Sequence, residues 1–519
     1  MDRYWPVDFA GCTAPGRMIA LLALLSIQAF AADHYERGME LARAERWAEA
    51  REELLAGSME APTDKRFPLE LAGVEYRLGD FLSAKKYLKN ALRLSSNDDP
   101  DDAYANDFLG TLYFLDGNYE SALVRWNKVG KPRISEIEIP PSSPISPLLL
   151  DRALAFAPGD TLSTDRYLST LAWLKALDAF DNFRLDLAAE EEQNFGARLE
   201  WRELPDWVRV ASALGGVPFG IAEVKWPNLN ERAMTGAAMY RWDAQKRRAF
   251  LSIASPLAGN PKTRYTIFGD ARGETWNLGQ PTDFRVRKIE GGVQLRMIPS
   301  GRFSWETGVN VAARAFPGSP FASGYGVKHL TAVNYRLLSV PDHRLTVDAK
   351  ATWETGRVFA SAASGLYART QGSVTGRWLP KPRGFDHETV ARVGFGTAFG
   401  SAPLDELFML TLDRDYDLPL RGHRGLVDGK RGSAPIGRRY VLANFEFHKE
   451  LWRGPFVTID AGPVVDAGTV WQALSGPSGK LLVDAGAQVR LRLPAGFTFI
   501  LSYARDLRSG TGNFDSFTQ

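Results

Sequence analysis

The chain of 519 residues contains a single cysteine, Cys12. One thiol cannot form an internal disulfide or a thiolate metal cluster. Histidine is also scarce: His34, His329, His343, His387, His423 and His448 are scattered, and no two stand four apart. The usual helical pair of metal ligands is therefore missing. There is no Gly-x-Ser-x-Gly turn to carry a hydrolase nucleophile. Leu474 to Lys480 has the outline of a phosphate loop, but it lacks the first glycine and the hydroxyl residue after lysine, so it reads as a turn. The net charge of +2 at pH 7 gives no reason to expect nucleic acid. These absences predict a protein that is not an enzyme and holds no cofactor or metal.

Long apolar runs are missing too, with one exception. Met18 to Phe30 follows Arg17 and ends in Ala29-Phe30-Ala31, a small-x-small pattern. The run is too short for a bilayer crossing of ~20 residues, and reads as a secretory signal peptide over residues 1–31. Cys12 lies within it. No helix-length hydrophobic segment follows, so a membrane location requires a closed barrel, whose strands satisfy one another in lipid. A mean hydropathy of −0.23 is compatible with that, because a barrel strand shows lipid only at every second residue.

Residues 32–131 carry a helical pattern that repeats. Gly38, Leu41, Ala50, Leu54 and Pro62 fall at tetratricopeptide offsets. Ala84, Leu88 and Ala91 follow, then Leu109, Gly110, Tyr113, Ala122 and Trp126. Ala84 lies 34 residues after Ala50, and Ala122 lies 38 after Ala84, with Asn97 to Pro100 as the polar excess. Three such helix pairs can bury a continuous core and present a concave face to peptides or partner proteins.

Residues 132–204 change character. Ile134, Glu136 and Glu138 alternate imperfectly with Ser135, Ile137 and Ile139. Helices are expected near Ser146–Phe156 and Thr164–Phe180, separated by Ala157-Pro158-Gly159-Asp160. Phe183, Leu185 and Leu187 then alternate with Arg184 and Asp186, and Phe195, Ala197, Leu199 and Trp201 with Arg198 and Glu200. The order strand–helix–helix–strand–strand resembles a POTRA domain. That resemblance implies a strand edge at Phe183, Leu185 and Leu187 to which an extended client could add.

From residue 205 to 519 the period is two. Val483, Ala485, Ala487, Val489, Leu491 and Leu493 alternate with Asp484, Gly486, Gln488, Arg490 and Arg492. Leu345 to Trp353, and Phe497 to Tyr503, do the same. Strands of about ten residues suit a tilted bilayer crossing. The count predicts a transmembrane antiparallel β-barrel of about 16 strands, wide enough for a polar lumen.

Three motifs sit inside this region: Leu420-Arg421-Gly422-His423, Gly437-Arg438-Arg439-Tyr440-Val441-Leu442-Ala443-Asn444-Phe445-Glu446-Phe447, and Val464-Val465-Asp466-Ala467-Gly468-Thr469-Val470-Trp471. Together they resemble the BamA/TamA superfamily of outer-membrane assembly and secretion barrels. The resemblance implies a loop folded back into the lumen, with Arg421 pairing with Asp466, and with Glu446 or Asp460 as further acidic partners. Gly422 would allow the tight backbone at the loop tip. The superfamily usually has Tyr or Phe where this chain has His423, and its barrels tend to end on an aromatic residue, whereas Phe517 stands two short of Gln519. The last strand is therefore expected to be short.

The resulting expectation is a multidomain outer-membrane protein of a Gram-negative bacterium, with its N-terminal domains in the periplasm. It would insert barrel proteins into the outer membrane, or translocate proteins across it. Its partners would be polypeptide clients, periplasmic proteins and outer-membrane lipid. A porin exporting polysaccharide is the alternative; it would have an open charged lumen, no POTRA-like domain and no inward Arg421 loop.

Overall fold

A computed structural model describes residues 32–519, apart from 96–99, 191–193, parts of 203–219, 243–244, 361–363, 381–385, 414–415, 455–456, 494–497 and 519. The signal peptide expected over residues 1–31 lies outside the described residues. No described helix is long and apolar enough to cross a membrane. The chain forms two compact units, up to Pro132 and from Arg133 onward.

The first unit is helical: α1 (32–43), α2 (Trp47–Glu60), α3 (Arg66–Arg77), α4 (Phe81–Leu94), α5 (Pro100–Leu115) and α6 (Tyr119–Trp126). Its turns repeat. Positive φ occurs at Glu45, Gly79 and Gly117, and each is followed after one residue by a helix start. At the second and third of these, Asp80 and Asn118 accept the main-chain N–H of Ser83 (3.0 Å) and Ser121 (3.2 Å), which caps α4 and α6. Close packing repeats as well. A Cβ on Gly38 would lie 2.7 Å from Leu54 Cγ, and one on Gly110 would lie 2.4 Å from Trp126 Cδ1. Both pairs span 16 residues, and so do Ala72 and Leu88, both fully buried. Ala50, Ala84 and Ala122 are likewise fully buried.

The second unit begins with a small α+β domain: β1 (Arg133–Glu138), α7 (Pro147–Ala153), α8 (Thr164–Leu177), β2 (Asn182–Ala189) and β3 (Asn194–Arg202). The sheet order is β1-β3-β2, with β1 parallel and β2 antiparallel to β3. The imperfect alternation in β1 has a physical cause, a register shift between Ile134 and Glu136. Both helices are shorter than the sequence pattern suggests. Leu154, four residues before Pro158, is already extended, and Asp178 turns left-handed and ends α8.

Fifteen barrel strands of six residues or more follow among the described residues: β4 (Ile221–Trp226), β5 (Thr235–Trp242), β6 (Lys246–Leu257), β7 (Asn260–Trp276), β8 (Phe284–Ser300), β9 (Phe303–Ala315), β10 (Gly324–Val340), β11 (Leu345–Ala360), β12 (Gly365–Trp378), β13 (His387–Gly400), β14 (Ile436–Arg453), β15 (Thr458–Ser475), β16 (Leu482–Arg492), β17 (Thr498–Asp506) and β18 (Gly512–Thr518). They form one sheet of antiparallel neighbours whose order returns from β18 to β4 in barrel fashion. The two end strands are short, six and seven residues, against 17 in β7, β8 and β10. Outward positions are apolar. Tyr325, Phe359, Phe399 and Trp471 lie toward one rim, and Tyr335, Trp378 and Trp452 toward the other, all exposed in the manner of interfacial aromatic girdles.

The small domain packs against one mouth of the barrel. Trp173 Nε1 donates to Ile298 O at 2.9 Å, Gly301 N to Ser169 Oγ at 3.1 Å, and Arg264 Nη1 to Leu177 O at 2.6 Å. Ser146 N and Arg152 Nη1 reach the carbonyls of Glu231 (2.7 Å) and Gly259 (3.1 Å) on neighbouring turns. Residues 401–435, between β13 and β14, leave from the opposite rim.

Candidate functional site in the barrel lumen

The 401–435 segment folds into the barrel because it is apolar at its base and charged at three places that meet complementary walls. Leu404, Leu407, Phe408, Met409, Leu410, Leu418 and Leu420 form one buried cluster with Tyr440, Leu442 and Val470 of β14 and β15. Strand parity puts Tyr440 and Leu442 on the same inward face as Asn444 and Glu446, leaving Val441 and Phe445 exposed outside.

The tip is Arg421-Gly422-His423. Arg421 Nη1 lies 2.5 Å from Asp466 Oδ1, its Nη2 bonds Glu446, and its main-chain N–H donates to Asp466 Oδ2 at 2.9 Å. Asn444 Nδ2 donates both to Asp466 Oδ1 (2.7 Å) and to Pro419 O (2.7 Å). Asn513 Nδ2 donates to Arg421 O at 3.0 Å. Gly422 N reaches Asp484 Oδ2 at 2.6 Å, and a Cβ there would sit 2.7 Å from Asp484 Cγ and from Asp506 N. The glycine is required by space. His423 Nδ1 lies 3.1 Å from Asp484 Oδ2. The tip is thus gripped by β14, β15, β16 and β18, while β17 lies against Gly422.

Asp460 does not join this grip. It is buried against Arg492, 2.5 Å away, on β16. Asp460 shares the inward face of Asp466, but six residues along a strand is about 20 Å, beyond the reach of Arg421. β2, which carries Phe183, Leu185 and Leu187, is an edge of its sheet; the Leu185 and Leu187 side chains are buried in the domain core and Phe183 is half-buried, so it is the main chain that this edge presents. Arg184 is the outward side chain, bonded to Asp186 at 2.6 Å. The Tyr167 hydroxyl donates to the Leu185 carbonyl at 3.3 Å.

Two further anchors were not singled out from the sequence. The loop base carries Asp405 and Glu406, which enter a basic wall. Asp405 lies 3.0 Å from Lys288 and 2.9 Å from Arg314; Glu406 lies 2.6 Å from Arg314 and 3.3 Å from Lys328. Glu290 and Glu354 complete the network, at 2.8 Å from Lys288 and 3.0 Å from Arg369. Near the loop's end, Arg431 is buried beside Glu274 (3.4 Å) and accepts the N–H of Asn277 at its carbonyl (2.7 Å). An acidic base therefore faces the basic wall of β8–β10, and a basic tip faces the acidic wall of β14–β16. The available sequence signals were Asp405-Glu406 inside an apolar run and the lumen parity of Asp484 and Asp506.

His423, Asp484 and Asp506 place three potential metal-ligand atoms within 4.8 Å of one another. The chain's own donors already engage Asp484 Oδ2, through Gly422 N and His423, and both oxygens of Asp506, through Arg508 N and Ser509 N (3.0 and 3.1 Å). On the small-domain side, the lumen holds a cavity of about 810 Å³ lined by Arg264, Arg296, Arg336, Lys350 and Arg392 among others. This basic space opens beside α8.

A wide antiparallel barrel, a loop clamped inside it and a small α+β domain at one mouth define the architecture. It is similar in fold to CdiB from Escherichia coli, with a TM-score of 0.50 at 10% identity over 73% of each chain. CdiB from Acinetobacter baumannii aligns with a TM-score of 0.46 at 13% identity, over 85% of this chain and 81% of that one. BamA from Haemophilus ducreyi lacking POTRA domains 1–3 aligns at 0.44 and 12% identity, over 75% and 84%. No protein-family model and no curated protein matches the sequence.

Proposed function

We propose that this chain is an outer-membrane barrel of a diderm bacterium that handles polypeptides, inserting them into or passing them across the outer membrane. The observation that carries the reading is the loop tip, Arg421 seated between Asp466 and Glu446. A buried ion pair adds little net stability, so its use is to fix one loop position in a wide lumen. The loop then closes the outer half of the barrel while the basic cavity stays open to the small domain. That domain is read as POTRA-like, and the helical unit as tetratricopeptide repeats that dock clients or periplasmic partners. Client handling would proceed by strand addition at β2 and at the short strands β4 and β18, without nucleotide or cofactor.

The inward Arg421 loop and the α+β domain both count against the polysaccharide-export porin. The test is photo-crosslinking in intact outer membranes. The crosslinker replaces Arg184 on the outward face of β2, or Phe514 on β18, which is 61% exposed. Barrel precursors or one secreted protein captured at either site support the reading and name the client. Glycan, or no polypeptide at both sites in a folded barrel, overturns it.

A further inference from the structure

The outer wall of β5–β10 carries a feature that polypeptide handling does not use. Strand register sets Trp242, Arg247, Gly273, Arg287 and Ala315 in one outward row. The row lies near the rim remote from the small domain, since Arg247 is the second residue of β6 and Arg287 the fourth of β8. The next row inward is Tyr240, Ala249, Ala271, Ile289, Ala313 and Tyr325. Ile289, Tyr325 and, one row further, Leu251 are each more than 60% exposed, so this is a lipid-facing surface.

Arg247 and Arg287 are exposed, and neither has a carboxylate partner among the described residues. They stand two strands apart, about 10 Å, with Gly273 between them. A Cβ on Gly273 would meet nothing within 4 Å, so the space between the arginines is open. Ala249, Ala271 and Ala313 continue that opening into a groove of about 760 Å³ between Tyr240 and Tyr325, with Ile289 standing between Ala271 and Ala313 as its apolar centre. Uncompensated arginine on a lipid face is tolerated only near the headgroup level. Guanidinium grips phosphate oxygens through parallel N–H groups, and an apolar groove directly below takes a hydrocarbon chain.

We propose that this groove binds a phosphorylated, multiply acylated glycolipid of the outer leaflet, with a phosphate between Arg247 and Arg287 and an acyl chain over Ala249, Ala271 and Ala313. The inference rests on the outer-membrane placement proposed above. That placement puts the arginine row in the leaflet away from the small domain, where phosphorylated glycolipid is the anionic lipid.

The test uses the full chain in detergent micelles, with native mass spectrometry reading bound lipid. The probes are bisphosphorylated lipid A, its dephosphorylated form and phosphatidylglycerol. Lipid A is expected to bind at least tenfold better than either of the others. Replacing Arg247 and Arg287 together by alanine should remove that preference. So should Gly273→Leu, which fills the gap and keeps both charges. Retention of the folded barrel is checked by its heat-modifiable migration on gels. Equal binding by the variants, or no preference among the lipids, overturns the proposal. Lipid binding and client capture are read separately, so a chain that captures polypeptide but ignores lipid A sinks this inference alone.

Discussion

At Arg421 the side chain reaches two carboxylates while its main-chain N–H and C=O are taken by Asp466 and Asn513. Replacing it by alanine leaves Asp466 and Glu446 without this cation; losses of about 3–5 kcal/mol are usual when one partner of a buried pair is removed. Arg421→Ala should therefore release the tip: protease added to intact cells nicks residues 401–435 faster, and client handling falls, while the barrel stays heat-modifiable. Arg421→Lys should restore only part, because an ammonium cannot bond both carboxylates through one planar fork. Undiminished protease protection in the alanine variant would refute the clamp. The resemblance carried by the motif made the Arg421–Asp466 pair legible in the sequence, and strand parity placed Asp466 on the inward face. The same parity suggested Asp460 and misled, because alternation tells which face a residue occupies and not its height in the barrel.

Helix ends and helix contacts decide the element scale. Asp80 caps α4, and its carboxyl is held below the ordinary range, first by the Ser83 N–H and then by the Ser83 hydroxyl. A depressed carboxyl contributes stability that is complete at neutral pH and fades as pH falls below about 4. Asp80→Ala should cost about 1 kcal/mol at neutral pH, seen as earlier loss of the helical circular-dichroism signal in denaturant. The difference from the parent should vanish in acid. Gly110→Ala should cost about 1–3 kcal/mol by overpacking against Trp126, while an alanine at the half-buried Gly73, where a Cβ meets nothing within 4 Å, should not destabilise. The spacings of 34 and 38 were visible along the chain. The pairing of Gly38 with Leu54 and of Gly110 with Trp126, each 16 positions on, was not, because sequence shows periodicity before it shows which helices touch.

For the whole molecule, the loop is a plug with charges of opposite sign at its two ends. Removing the acidic base by Asp405→Asn together with Glu406→Gln leaves Lys288, Arg314 and Lys328 side by side on the β8–β10 wall without the loop's two carboxylates. The loop base should then detach, and single-barrel conductance in a planar bilayer should rise several-fold over the parent. An unchanged conductance would show that apolar packing around Phe408 and Leu410 holds the plug without the ion network.

Read alone, the sequence determined the alternation of the strands, the helical periodicity before them and the exclusion of an internal disulfide. These follow from side-chain period and residue chemistry, which are local; the Arg-Gly tip and its nearest acidic partner came from the resemblance of the motifs. Only the tertiary structure decided that Asp405 and Glu406 meet a basic wall, that Asp460 belongs to Arg492, that Leu185 and Leu187 are core, and that Arg247 and Arg287 flank one open glycine. Each of these depends on how separate elements meet, and for the barrel residues on the register between neighbouring strands. Register is a cooperative outcome of the closed sheet, so no single segment of the sequence carries it.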